Sequence, residues 1–218
     1  MTRRDPALKQ LRFAYLKIRP EIKKRLAQFR KIHEDKDEKI FSELSYCILT
    51  ANANAIRCDE AIRQLEKRKL LLRGKSHQLK PVLRGRARFH NKKADFIVGA
   101  RNLFTRGKSI DIKTRLDKSD ISATRDWLVE NIKGFGYKEA SHFLRNIGLG
   151  KDIAILDRHI LKNLNRYGVI DKIPDSVGNR QAYIDIENKM RIFSKKAGIP
   201  LEALDLLFWS IQTGFIFK

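Results

Sequence analysis

Two side chains in this sequence have the chemistry to act as a pair. Lys138 sits in "IKGFGYKEA" (132–140), and Asp157 sits in "ILDRH" (155–159), nineteen residues further on. A primary amine can capture an electrophilic carbon as a covalent intermediate, and a carboxylate can stabilise positive charge developing beside it. Position alone favours plainer roles. A lysine at a helix start is more often solvated, and an aspartate just before a helix is more often its N-cap, here with Leu156 and Leu161 placed as a hydrophobic staple. What sets Lys138 apart is the turn that precedes it. Gly134, Phe135 and Gly136 form a Gly-x-Gly step between two apolar, helix-like stretches. Glycine accepts positive φ and lets another backbone come close. Such a turn opening a helix offers N–H groups at the positive end of the helix dipole, where a phosphate can bind. Gly-x-Gly by itself occurs in many ordinary turns.

The elements that must hold these residues read as helices almost throughout. Residues 8–19 and 21–33 are two amphipathic pieces divided by Pro20, and 41–50 is an apolar, buried helix. Residues 58–72 form one helix and 91–104 another. A helix over 124–132, with Ser122 or Thr124 as N-cap, leads into the glycine turn. After the turn, Ala140, Phe143, Leu144 and Ile147 recur at helical spacing, and Gly148 is the stop. Residues 157–168 follow as helix, then a loop passing into helix before 198, then a last helix from Pro200 that runs into the apolar tail "GFIFK". His142 and His159 have no second ligand at metal spacing and read as structural or phosphate-facing.

Charge points to a polyanionic partner. Lys and Arg number 47 against 25 acids, a formal net charge of +22 over 218 residues, more than solubility requires. Residues 67–93 carry eleven Lys/Arg and no acid, and Gly74, Pro81 and Gly85 interrupt them, so part of this basic stretch reads as loop against a phosphate backbone. Two cysteines, Cys47 and Cys58, are too few and too far apart for a zinc or iron–sulfur site and read as buried thiols in a reducing compartment. No apolar run is long enough to span a membrane, and "MTRRDPALKQ" lacks the core of an export signal, so a cytoplasmic, nucleoid-associated protein is expected.

The turn and the aspartate segment together resemble those of helix-hairpin-helix DNA glycosylases, and the Lys138–Asp157 spacing resembles that of the 8-oxoguanine glycosylases. "LTANANAIRCDEAI" (49–62), "RFHNKKADFIV" (88–98) and the ending "GFIFK" extend the likeness over nearly the whole chain, to the compact 8-oxoguanine DNA glycosylase/AP lyase branch of that endonuclease III-like superfamily. The resemblance implies an all-α, two-lobed helix-hairpin-helix fold with its active site in the inter-lobe cleft, one lobe from 40 to 137 and the other from 1–39 with 138–218. It implies Lys138 as the amine and Asp157 as the carboxylate. Gly134, Phe135 and Gly136 become the hairpin on the DNA backbone, with a monovalent cation at that hairpin, no required cofactor and no iron–sulfur cluster. An extruded base needs flat apolar walls, and Phe89 and Trp209 match the stacking positions. Trp209 could equally be core. Lys218, at the docked tail, is placed in the base pocket. Asn52 and Asn54 face DNA or, on local sequence alone, cap or stop the helix beginning near Phe41. The expected partner is double-stranded DNA containing 8-oxoguanine, met by a monomer. Two rivals share the charge and the turn: a non-catalytic helix-hairpin-helix DNA-binding module, and a glycosylase for another oxidised base.

Overall fold

The computed structural model describes residues 6–218; Met1–Asp5, on which part of the leader-peptide expectation rests, lie outside the described residues. Among the described residues the chain has eleven α-helices and one two-stranded ribbon. It divides into two units, one made of the residues up to Arg30 with Gly150–Lys218, the other of Lys31–Leu149. The lobe boundaries therefore differ from the expected ones. The helix α8 (Tyr137–Asn146) packs on α2 (Asp37–Thr50) and α7 (Ile121–Asn131), so Lys138 belongs with the residues before it rather than with those that follow.

In the 31–149 unit, α2 is the central element. Every residue from Ile40 to Thr50 is buried, as expected for a helix apolar nearly all round. It is covered by α3 (Ala55–Lys67), α6 (His90–Phe104) and α8. The helix expected over 58–72 is broken: α3 ends at Lys67, Lys69 takes a left-handed conformation (φ 57°), and the single turn α4 (Leu70–Arg73) sets off anew. The basic stretch is more helical than expected, since α5 (Ser76–Leu83) fills its middle, with Pro81 inside it. Irregular chain remains at 84–89. Between α6 and α7 lies a short antiparallel ribbon, Thr105–Arg106 with Ser109–Ile110, which hydropathy did not signal. Asp37 accepts from the backbone N–H groups of Ile112 (2.8 Å) and Lys113 (2.9 Å) and so ties the start of α2 to the chain leaving that ribbon. The cap of α7 is Asp120, whose carboxylate accepts from Ala123 N–H at 2.9 Å, in place of Ser122 or Thr124.

The other unit holds the first part of α1 (Pro6–Glu34) with α9 (Arg158–Arg166), α10 (Arg180–Ala197) and α11 (Leu201–Thr213), the last packing on both α9 and α10. Pro20 lies inside α1 and does not divide it. Its missing N–H and ring clash cost on the order of 3 kcal/mol. The buried stripe Leu8, Leu11, Tyr15, Ile22, Leu26 and Phe29 continues on both sides and outweighs that cost. Arg12 donates to the carbonyls of Lys196 and Ala197, each at 2.8 Å, closing the end of α10 where Gly198 turns the chain at φ 67°.

Candidate functional site

The glycine turn is built by one hydrogen bond and one ring. Phe135 N–H donates to Ile132 O at 3.1 Å, closing a four-residue turn with Gly134 in third place at φ 89°. That sign of φ at that place is the type II pattern, which asks for glycine. An ideal Cβ on Gly134 would also fall 2.6 Å from Cδ2 of Phe96 on α6. Phe135 itself is buried, its ring 6.3 Å from Phe143. Gly136 is different: its φ is −109°, extended backbone open to any residue, and its Cβ would meet Glu139 Oε2 at 3.4 Å. Its freedom is thus not used for conformation but leaves a bare backbone at the mouth of α8.

The backbone amides that the turn was expected to offer are partly engaged already. Phe135 N–H is held by Ile132, and Gly136 N–H donates to Glu139 Oε2 at 3.3 Å. Glu139, third in α8, folds back on the residue that starts the helix, as in a capping box. Its other carboxylate oxygen lies 3.4 Å from Lys138 Nζ. The lysine side chain as a whole is one-quarter exposed, and its amine leans on its neighbour.

Three residues picked from sequence meet in one pocket of about 220 Å³. Asn52, Phe89 and Gly134 line it with Ile48, Ala51, Lys92, Lys93 and Phe96. Asn52 (φ 52°) and Phe89 (φ 57°) both take left-handed conformations, uncommon for residues other than glycine. Phe89 is 56% exposed with the Arg88 guanidinium 4.9 Å over its ring, a flat face backed by a cation. The buried Lys93 went unnoticed within the basic run. Its Nζ donates to Leu49 O (2.7 Å) and Ala51 O (2.6 Å), closing the end of α2 where Asn52 turns away. Burial draws the Lys93 ammonium below the ordinary lysine range; Cys58 opposes this and Lys138 adds to it. Burial pushes the Cys58 thiol up to about 11, with Lys93 and Lys138 pulling the other way. Asn54 does not stop the helix from Phe41 but caps the next one, α3, its Oδ1 accepting from Arg57 N–H at 3.1 Å.

Asp157, Trp209 and Lys218 lie in the other unit. Asp157 is the N-cap of α9, accepting from Ile160 N–H at 2.8 Å, and Leu156 and Leu161 of the expected staple are both buried. Trp209 is half-buried on α11, with His159 standing edge-on to it at 5.3 Å. His142, by contrast, is buried beside Tyr46, a structural position. The tail after Gly214 is docked: Arg25 Nε donates to Phe217 O at 2.7 Å, and Lys218 is half-buried behind it. Cys47 and Cys58 are both buried thiols, and among the described residues no group of three or more His, Cys, Asp or Glu could hold a metal.

A helix-hairpin-helix turn with a lysine on its outgoing helix, in a basic all-α chain, is the arrangement of a DNA-handling protein. The family model described as 8-oxoguanine DNA glycosylase matches residues 22–199. The 8-oxoguanine DNA glycosylase/AP lyase of Fusobacterium nucleatum is 41% identical over 206 residues, 94% of each chain. That of Methanocaldococcus jannaschii is 40% identical, covering 92% of this chain and 93% of its own. Among solved structures, the 8-oxoguanine DNA glycosylase of Thermotoga maritima superposes with a TM-score of 0.87 at 33% identity, covering 98% and 99% of the two chains. The Methanocaldococcus jannaschii enzyme in complex with 15mer DNA containing 8-oxoguanine gives 0.86 at 34% identity, covering 98% and 100%. The chain belongs to the 8-oxoguanine DNA glycosylase family, and its helical architecture is the helix-hairpin-helix fold of those enzymes.

Proposed function

We infer that this chain is a bifunctional DNA glycosylase/AP lyase that excises 8-oxoguanine from double-stranded DNA in base excision repair. The observation that carries this is family membership over almost the full chain, together with a partly exposed Lys138 side chain on the first turn after the glycine hairpin. In the proposed reaction the lone pair of the Lys138 amine attacks C1′ of the damaged nucleoside. Asp157, steadied by Ile160 N–H, stabilises the positive charge that grows on the sugar as the bond to the base breaks. The base leaves with the bonding pair. The sugar ring opens to give an imine between Lys138 and C1′. Loss of a proton from C2′ then expels the 3′ phosphate by β-elimination.

Phe89 and Trp209 are proposed as walls for an extruded base, which the exposed ring of the first and the half-exposed ring of the second support. Lys218, on a tail tied down by Arg25, is proposed in the base pocket. Asn52, in the pocket beside Gly134, is proposed to face the DNA, and the basic stretch 67–93 to meet its backbone. A monovalent cation at the hairpin belongs to the same proposal: Ile132 O accepts from Phe135 N–H and keeps a second lone pair for it. An iron–sulfur cluster does not fit, since two buried cysteines cannot supply four thiolates.

The test is borohydride trapping on 8-oxoguanine duplex. The wild-type chain should form a covalent adduct, and Lys138→Gln should lose it while still binding DNA. An undiminished adduct in Lys138→Gln would remove Lys138 as the nucleophile. Competition with a thymine glycol duplex tests the substrate: preference for thymine glycol would exclude 8-oxoguanine as the main target.

A further inference from the structure

Asp157 is reached through a piece of chain that ought to be unstable. Ile153, Ala154, Ile155 and Leu156 are all buried, yet belong to no helix or strand. Buried backbone N–H and C=O groups without partners each carry a desolvation penalty, so this segment must find its hydrogen bonds elsewhere. It finds them on the side chains of α10. Tyr183 Oη accepts from Leu156 N–H (3.1 Å) and donates to Ala154 O (2.8 Å). Glu187 Oε2 accepts from Ala154 N–H (2.8 Å), and Arg191 Nη2 donates to Asp152 O (2.7 Å).

These contacts are in register. Residues 183, 187 and 191 are four apart and occupy one stripe of the helix. Residues 156, 154 and 152 are two apart, and each presents a backbone N–H or C=O to that stripe. Four helical residues advance about 6 Å, close to the rise of about 6.6 Å over two residues of a strand. One polar stripe of α10 therefore replaces the neighbouring strand that this segment lacks, and the two run in opposite directions. The ladder ends at Leu156, immediately before Asp157, whose own N–H donates to Ile155 O at 2.9 Å.

We propose that Tyr183 and Glu187 are positioning residues for Asp157: they fix the height and rotation of the chain entering α9 and so the place of the carboxylate. Tyr183 is fully buried and Glu187 is 2% exposed. A phenol and a carboxylate at such positions cost desolvation that apolar residues of similar size would not. Packing alone does not explain their presence, whereas the ladder uses the polar atoms of both. The proposal rests on the reading of Asp157 as the carboxylate that assists base release.

The experiment separates base release from strand cleavage in the full chain. At a preformed abasic site the base has already gone, and the remaining chemistry is that of Lys138. Tyr183→Phe keeps the ring and loses the rungs to Ala154 O and Leu156 N. It should slow single-turnover release of 8-oxoguanine by about 10- to 100-fold, while abasic-site cleavage and DNA affinity stay within about two-fold of wild type. Glu187→Ala should behave likewise, and Glu187→Gln, whose amide oxygen can still accept from Ala154 N–H, should recover most of the rate. Base release at the wild-type rate in Tyr183→Phe, or an equal fall of both activities in Tyr183→Phe and in both Glu187 variants, overturns the proposal. Asp157→Asn is the control. If it releases base normally, the role of Asp157 fails; if it is inactive while Tyr183→Phe is normal, only the positioning role fails.

Discussion

Replacing Gly134 by alanine should damage the hairpin in two separable ways. The residue sits at φ 89°, where an L side chain costs about 1–2 kcal/mol. The new methyl would also lie 2.6 Å from Cδ2 and 3.0 Å from Cε2 of Phe96. Carbon atoms pack best at about 3.5–4.0 Å, so the ring must retreat by roughly 1 Å. Such overpacking typically costs about 1–3 kcal/mol. The two effects sum to about 2–5 kcal/mol, read as the shift in urea midpoint at constant slope. A double-mutant cycle with Phe96→Ala separates them. In the truncated background the steric part should vanish, leaving only the backbone cost of about 1–2 kcal/mol. A Gly134→Ala chain within about 0.5 kcal/mol of wild type would refute the argument. So would an equal cost with and without the Phe96 ring, which would mean that α6 does not form the wall of the turn.

Two further outcomes follow from the same region. Gly136→Ala should leave stability within about 1 kcal/mol, because its φ of −109° suits alanine and its Cβ would meet only the mobile end of Glu139. Its affinity for DNA should nonetheless fall if that bare backbone is where a phosphate docks, as binding titrations would read; full affinity would exclude Gly136 from the contact. Cys58 supplies a pH test. Its folded pKa, near 11 against an ordinary 9, lies above the unfolded value, so its contribution is intact below pH 9 and is lost as pH rises towards 11. The loss is on the order of 3 kcal/mol for a shift of this size. Lys93, whose proton affinity is lowered by burial, acts with the opposite sign, so the comparison to make is with Cys58→Ala, which should lose less stability than wild type between pH 9 and 11. Parallel pH curves for the two chains would show that the thiol is not held neutral.

Much of this molecule was legible from local sequence, because its signals are local. The turn announces itself by Gly134, whose φ only glycine adopts readily, and α8 by the spacing of Ala140, Phe143, Leu144 and Ile147. Asp157 reads as an N-cap because capping depends on the next three residues, and Ile160 N–H is there to be capped. Elsewhere local rules misled. Pro20 promised a break that the buried stripe of α1 overrides, and residues 58–72 hid the left-handed step at Lys69.

What the tertiary structure alone decided are the partners that come from distant chain. Nothing near Lys93 in sequence predicts that its ammonium closes the end of α2, more than forty residues earlier. Gly134 is spoken for by its φ, but the second constraint on it, the Phe96 ring, arrives from another helix. Tyr183 and Glu187 look like ordinary residues of an amphipathic helix until the segment before Asp157 is found buried, with backbone groups that their side chains satisfy. Caps, turns and helical stripes are written within a few residues because their hydrogen bonds close over a few residues. The satisfaction of buried backbone is settled only when the chain has folded, since it depends on which surfaces exclude water together.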